Sequence, residues 1–124
     1  MRIFKNAWFE RYSRRERIAD VTLREAVRRA DQGLIDADLG NGVIKQRIAR
    51  PGAGRSGGFR TLLLYRQGER AFFVYGFAKS RQSNISRAER DAFRKAASHV
   101  LDLTDEQLQK LIEQGQFTEI DNDD

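Results

Sequence analysis

Two apolar runs on either side of a tight polar turn constrain this chain more than any other feature. TLLLY (61–65) and AFFVYGFA (71–78) flank a turn centred on Gln67 and Gly68, a spacing that predicts a β-hairpin. Their apolar character is continuous rather than alternating, which marks both as central strands covered by other elements. With 124 residues the chain supports one domain and one modest core.

The covering elements can be read on both sides of the hairpin. RIFK (2–5) is a short first strand, and Trp8, Phe9 and Tyr12 in the following NAWFERYSRRERI fall at helical spacing. Arg14, Arg15 and Arg17 on that helix could touch nucleic acid, but a charge run of this kind reads first as a solvated face. A second helix opens with Thr22 and Glu25 at capping-box spacing, buries Leu23, Ala26, Val27 and Ala30, and stops at Gly33. After a turn at Gly40, Asn41 and Gly42, VIKQRIA alternates, with Ile44 and Ile48 on one face and Lys45, Arg47 and Ala49 on the other.

Residues 51–58, PGAGRSGG, read as a glycine-rich connection without the lysine and hydroxyl of a P-loop. Regular alternation in the second hairpin strand would align Phe73, Tyr75, Phe77 and Lys79, unless Gly76 marks a bulge. Ser86 with Glu89 then caps a helix whose Ala88, Ala92, Phe93, Ala96 and Val100 pack on the sheet. Thr104 with Gln107 caps another, stapled by Leu103 and Leu108 and ending at Gly115, and FTEI could add a last strand. The expected organisation is one domain over residues 1–120 with a frayed acidic tail at 121–124.

Composition removes several chemistries. There is no cysteine, so thiol nucleophiles, disulfides and cysteine zinc sites are out. The one histidine, His99, excludes a ribonuclease with a histidine acid and a histidine base, and it reads as a partly exposed helix residue. No apolar run approaches the about 18 residues that span a bilayer, and no signal-peptide core is seen, so a cytoplasmic location away from membranes is expected.

Charge supplies what is left. Residues 45–81 hold nine Lys or Arg against a single acid, Glu69. Residues 1–101 carry a net +12, whereas residues 102–124 carry a net −7. The bases lie in clusters separated by strands: Lys45, Arg47 and Arg50, then Arg55 and Arg60, then Lys79 and Arg81. If a sheet brings them together they form a phosphate-docking surface, with Phe77 at a strand end available to stack on a base. With Glu69 alone among the acids of this segment, converging carboxylates for a metal are not offered. Metal-free phosphoryl chemistry on RNA remains, with the 2′-hydroxyl as nucleophile, arginines clamping the phosphate and a lysine crowded by cations nearing general-base duty. A plain RNA-binding surface would use the same residues.

GVIKQRIA, GGFRTLLLYR and FFVYGFAKSRQSNIS leading into a helix resemble the RelE/HigB toxins of bacterial type II toxin–antitoxin systems, over roughly residues 39–90. The resemblance implies an α+β fold, a small twisted and mainly antiparallel sheet with two N-terminal helices and C-terminal helices. It also implies a ribosome-dependent endoribonuclease that cuts mRNA without metal or cofactor, leaving a 2′,3′-cyclic phosphate and a 5′-hydroxyl, and a cognate antitoxin as partner. Carried onto this chain, it makes Lys45 or Lys79 the base, Arg60 the transition-state clamp, and Arg47 and Arg81 positioners or acid; Arg50, Arg55 and Phe77 are the RNA contacts that the reading of the residues adds. Where some members carry tyrosine or histidine after the last basic cluster, this chain has Asn84, Ile85 and Ser86. The sibling ParE branch, which inhibits DNA gyrase, has lost the ribonuclease residues, so Arg60, Lys79 and Arg81 favour the ribonuclease branch. A non-enzymatic RNA-binding regulator is the third possibility.

Overall fold

The computed structural model describes residues 1–50 and 54–121, with residues 54–56 as backbone only. The elements run β1 (Arg2–Asn6), α1 (Ala7–Arg15), α2 (Asp20–Asp31), β2 (Ala37–Gly40), β3 (Val43–Arg50), β4 (Gly54–Arg66), β5 (Arg70–Ala78), α3 (Arg87–Val100), α4 (Asp105–Glu113) and β6 (Phe117–Ile120). They form a mixed α+β fold around one six-stranded sheet in the order β2-β3-β4-β5-β1-β6. Every neighbouring pair is antiparallel except β1 and β5.

Both faces of the sheet are covered, which is why the hairpin runs are apolar throughout. On one face Phe9 of α1 and Leu23, Ala26 and Val27 of α2 pack against Ile44, Ile48, Phe59, Leu63 and Phe73. On the other, Ala97 and Leu101 of the α3 end and Leu108 of α4 pack against Phe4, Val43, Leu62, Leu64 and Phe72. Each fully buried Phe or Leu contributes roughly 1.5–3 kcal/mol by leaving water. Gln46 is buried without loss because its side chain donates to Ala26 O at 3.0 Å and Leu34 O at 3.1 Å and accepts from Asp36 N at 2.8 Å. That network fixes β3 against the end of α2, and so fixes the direction of its neighbours Lys45 and Arg47.

Four sequence expectations need correction. Helix α2 begins at Asp20 with Ala19 as its N-cap and no side-chain cap, so Thr22 and Glu25 lie inside the helix and form no capping box. The reversal at Arg17, whose φ is 57°, starts the helix earlier, and Asp20 supplies the first-turn negative charge while it meets Lys5 Nζ at 3.1 Å. Strand β4 starts at Gly54, so much of the glycine-rich stretch is strand; residues 51–53 lie outside the described residues. Ala88 and Ala92 are exposed, and Ala97 rather than either of them carries the buried contact of α3.

The fourth correction concerns β5. Leu62 pairs with Tyr75 and Leu63 with Phe73, so a bulge at Val74 resets the alternation before Gly76 is reached. Phe73 therefore packs with α1 and α2, whereas Val74 and Tyr75 pack on the α3 side. The capping boxes at Ser86 and Thr104 form as the sequence indicates. Positive φ at Gly33 and Gly115 follows the ends of α2 and α4. No helix is long and apolar enough to cross a membrane.

Candidate functional site

Register on the central strands decides which bases meet. Arg47 of β3 pairs with Arg60 of β4, and Arg60 pairs in turn with Phe77 of β5. Paired residues point to the same side of a sheet, so the three side chains form one row across three strands. The next row is Lys45, Leu62 and Tyr75. It lies about 7 Å along the strands on the same face, since two residues separate like-facing side chains. Lys45, Arg47 and Arg60 thus share the α3 face of the sheet, beyond the part where Val43, Leu62 and Leu64 are covered.

The loop that follows β5 joins this face. Lys45 Nζ donates to Asn84 Oδ1 at 3.4 Å, and Asn84 Oδ1 also accepts from Ile85 N at 2.9 Å. Lys79 and Arg81 are exposed in the turn after Ala78, where Arg81 N donates to Ala78 O at 2.9 Å. Arg50 goes elsewhere. Alternation sets Arg50 on the face of Ile44 and Ile48, opposite Lys45 and Arg47, and its guanidinium lies 5.7 Å from the centre of the Phe59 ring, which belongs to the α1 and α2 core. The side chain of Arg55 lies outside the described residues.

Charge pairing divides the sheet into two ends. At the hairpin end, Arg66 meets Asp102 at 2.7 Å, Arg70 meets Asp105 at 2.8 Å and Arg2 meets Glu119 at 2.9 Å. Asp102, Asp105 and Glu119 of the acidic C-terminal segment are engaged there. Arg60 sits six residues back along β4 from Arg66, about 20 Å away. Among the described residues neither Lys45, Arg60, Lys79 nor Arg81 has an ion-pair partner, while Arg47 Nε comes only within 4.0 Å of Asp36. Arg60 Nη1 is buried and makes no hydrogen bond among the described residues. A buried guanidinium N–H left unpaired is costly.

Two flanking features were not legible as site residues in the sequence. On the β2 side, Arg90 Nε is also buried without a hydrogen bond, and Arg90 with Arg87, Asn84 and Ser86 lines a cavity of about 120 Å³. The signal available was a charged residue on the inward stripe of α3, one heptad before Ala97. On the β5 side, Trp8, Tyr12 and Arg15 of α1 line a second cavity with Arg50, Tyr75, Phe77 and Arg81. Helical spacing placed those aromatics in the core, and the core reading holds for Phe9 and Tyr12. His99 is exposed on α3. No three His, Cys, Asp or Glu among the described residues are arranged to hold a metal ion.

Against known proteins, the family described as RelE toxin of RelE / RelB toxin-antitoxin system matches over residues 1–120. No curated protein and no solved structure matches the chain.

Proposed function

Because the chain belongs to the RelE toxin family, and is thereby a toxin of a toxin–antitoxin system with a RelB-type antitoxin as partner, we propose that it inhibits translation by cutting mRNA on the ribosome. Residues 1–120 form the toxin domain in this reading. The supporting observation is the register that sets Arg60 directly across from Arg47, with no ion-pair partner for Arg60 among the described residues.

In the reaction, the ribose 2′-oxygen attacks the adjacent phosphorus while the bond to the 5′-oxygen of the next nucleotide breaks. The products are a 2′,3′-cyclic phosphate and a free 5′-hydroxyl. The proton of the 2′-hydroxyl passes to Lys45 or Lys79, and the 5′-oxygen takes a proton delivered at the Arg47 or Arg81 side. Arg60 and Arg47 hold the non-bridging oxygens, whose charge grows in the pentacoordinate state. These fixed cations perform the role a metal would otherwise fill. Arg55 contacts the RNA beside this row and Arg50 does so from the α1 side, whereas Phe77, buried behind Arg60, backs the site instead of stacking on a base. The antitoxin acts by covering this basic face or by keeping the toxin off the ribosome.

Primer extension on message from cells expressing the protein tests the reading. Cuts within codons that appear only with ribosomes present are expected. Intact message with inhibited supercoiling would move the chain to the gyrase-inhibiting branch. Intact message with normal supercoiling would leave an RNA-binding regulator.

A further inference from the structure

The cavity on the β5 side is walled by rings and guanidinium groups together. Trp8 stacks on Tyr12 at 5.0 Å and 15° and on Tyr75 at 4.7 Å and 30°. Arg15 lies 5.4 Å from the centre of the Tyr12 ring, and Arg50 and Arg81 line the same cavity of about 200 Å³. Glu16 is the one carboxylate among its lining residues, and it meets Arg15 Nε at 3.3 Å. Gly76 forms the floor where β5 passes α1; a Cβ there would come within 2.9 Å of Tyr12 Cε2. The cavity adjoins the Arg47 and Arg60 row through Phe77, the register partner of Arg60.

Trp8, Tyr12 and Tyr75 stack on one another, so the opening offers ring edges beside the guanidinium planes of Arg15, Arg50 and Arg81, a combination that suits a flat base carrying a phosphate above other ligands. Bases stack on rings and on guanidinium planes, and the cations hold the backbone. We infer that the pocket of Trp8, Tyr12, Tyr75, Arg15, Arg50 and Arg81 is a nucleotide subsite, which holds the base next to the scissile linkage. This rests on the RNA reading of the Arg47 and Arg60 face, and it assigns function to α1 residues that otherwise serve packing alone.

Trp8 is the chain's only tryptophan, so its emission reports on this pocket without any cleavage. Titration of the full chain with 5′-AMP and with 5′-UMP should quench Trp8 emission. The double variant Arg15→Gln, Arg81→Gln should bind about tenfold more weakly. Arg15 and Arg81 are exposed, so this variant folds, and near-ultraviolet circular dichroism checks that it does. Arg60→Ala should keep the quenching. The inference is overturned if neither nucleotide moves Trp8 emission, if inorganic phosphate quenches as fully as the nucleotides, or if the double variant binds unchanged. Quenching without ribosomal cleavage would refute the nuclease and leave the subsite standing; cleavage without quenching would do the reverse.

Discussion

Arg47 and Arg60 stand directly opposite each other across β3 and β4, two guanidinium side chains on one face of the sheet with Asp36 only at the outer edge of the pair, 4.0 Å from Arg47 Nε. Like charges in register weaken a sheet unless something between them is negative. In the folded protein alone this arrangement costs stability, which a phosphate bound between the two side chains should relieve.

The first prediction follows from that relationship. Phosphate or sulfate should stabilise the protein, by about 1.4 kcal/mol at ten times its dissociation constant, or roughly 3–6 °C in Tm. Arg60→Gln should lose most of that shift and should be no less stable than the parent without the anion. A melt series at constant ionic strength, with chloride as the control, distinguishes this from general screening.

Gly58 tests the β3 and β4 geometry that brings the arginines together. A Cβ there would lie 2.0 Å from Ile48 O and 3.1 Å from Arg50 N, both backbone atoms beside the register shift. Gly58→Ala should therefore destabilise by about 2–3 kcal/mol in a denaturant titration. A change within about 0.5 kcal/mol, the range of an ordinary surface substitution, would mean that the strands do not approach as described.

Acid stability should track Glu10. Its carboxyl is held below the ordinary range chiefly by the hydrogen bond from Lys5, whose Nζ lies 2.7 Å away, with burial opposing and Arg14 adding to it. Because the folded carboxyl takes up its proton less readily than the unfolded one, the stabilisation is complete above the unfolded value of about 4.3 and is lost as pH falls through the folded value. Melts should be flat from neutral pH to about 5 and then decline. Glu10→Gln should be less stable by of order 1 kcal/mol at neutral pH, with the two curves converging in acid.

Much of this fold was legible because the signals were local. The hairpin around Gly68, the capping boxes at Ser86 and Thr104 and the alternation of Ile44 and Ile48 each depend on a few adjacent residues. What escaped the sequence depends on partners distant along the chain. The bulge at Val74 forms because β5 must pair with β4 on one side and β1 on the other, and no residue in FFVYG announces where the extra residue falls. The start of α2 is set by the reversal at Arg17 and by Asp20 reaching Lys5, neither of which the Thr22 and Glu25 spacing conveys.

The same division runs through the site. Lys45, Arg47 and Arg60 could be grouped because they lie on the face opposite Ile44 and Ile48 or at the start of an apolar run. Arg50 was grouped with them by proximity along the chain, whereas alternation sets it on the Ile48 face, where it lies over Phe59. Arg90 lies on the inward stripe of α3, but only the packing of that helix shows its Nε buried. The C-terminal acids could be counted, but their pairing with Arg2, Arg66 and Arg70, which leaves the other end of the sheet basic, required the fold.

The most direct measurement is cleavage of a translated message by purified protein on programmed ribosomes, with Arg60→Ala run beside the parent. The parent should cut within codons to leave 2′,3′-cyclic phosphate ends, and Arg60→Ala, folded and equally stable, should be slower by about 100-fold or more. Equal cleavage by both, or none by either in the presence of ribosomes, would contradict the assignment of this face as a nuclease.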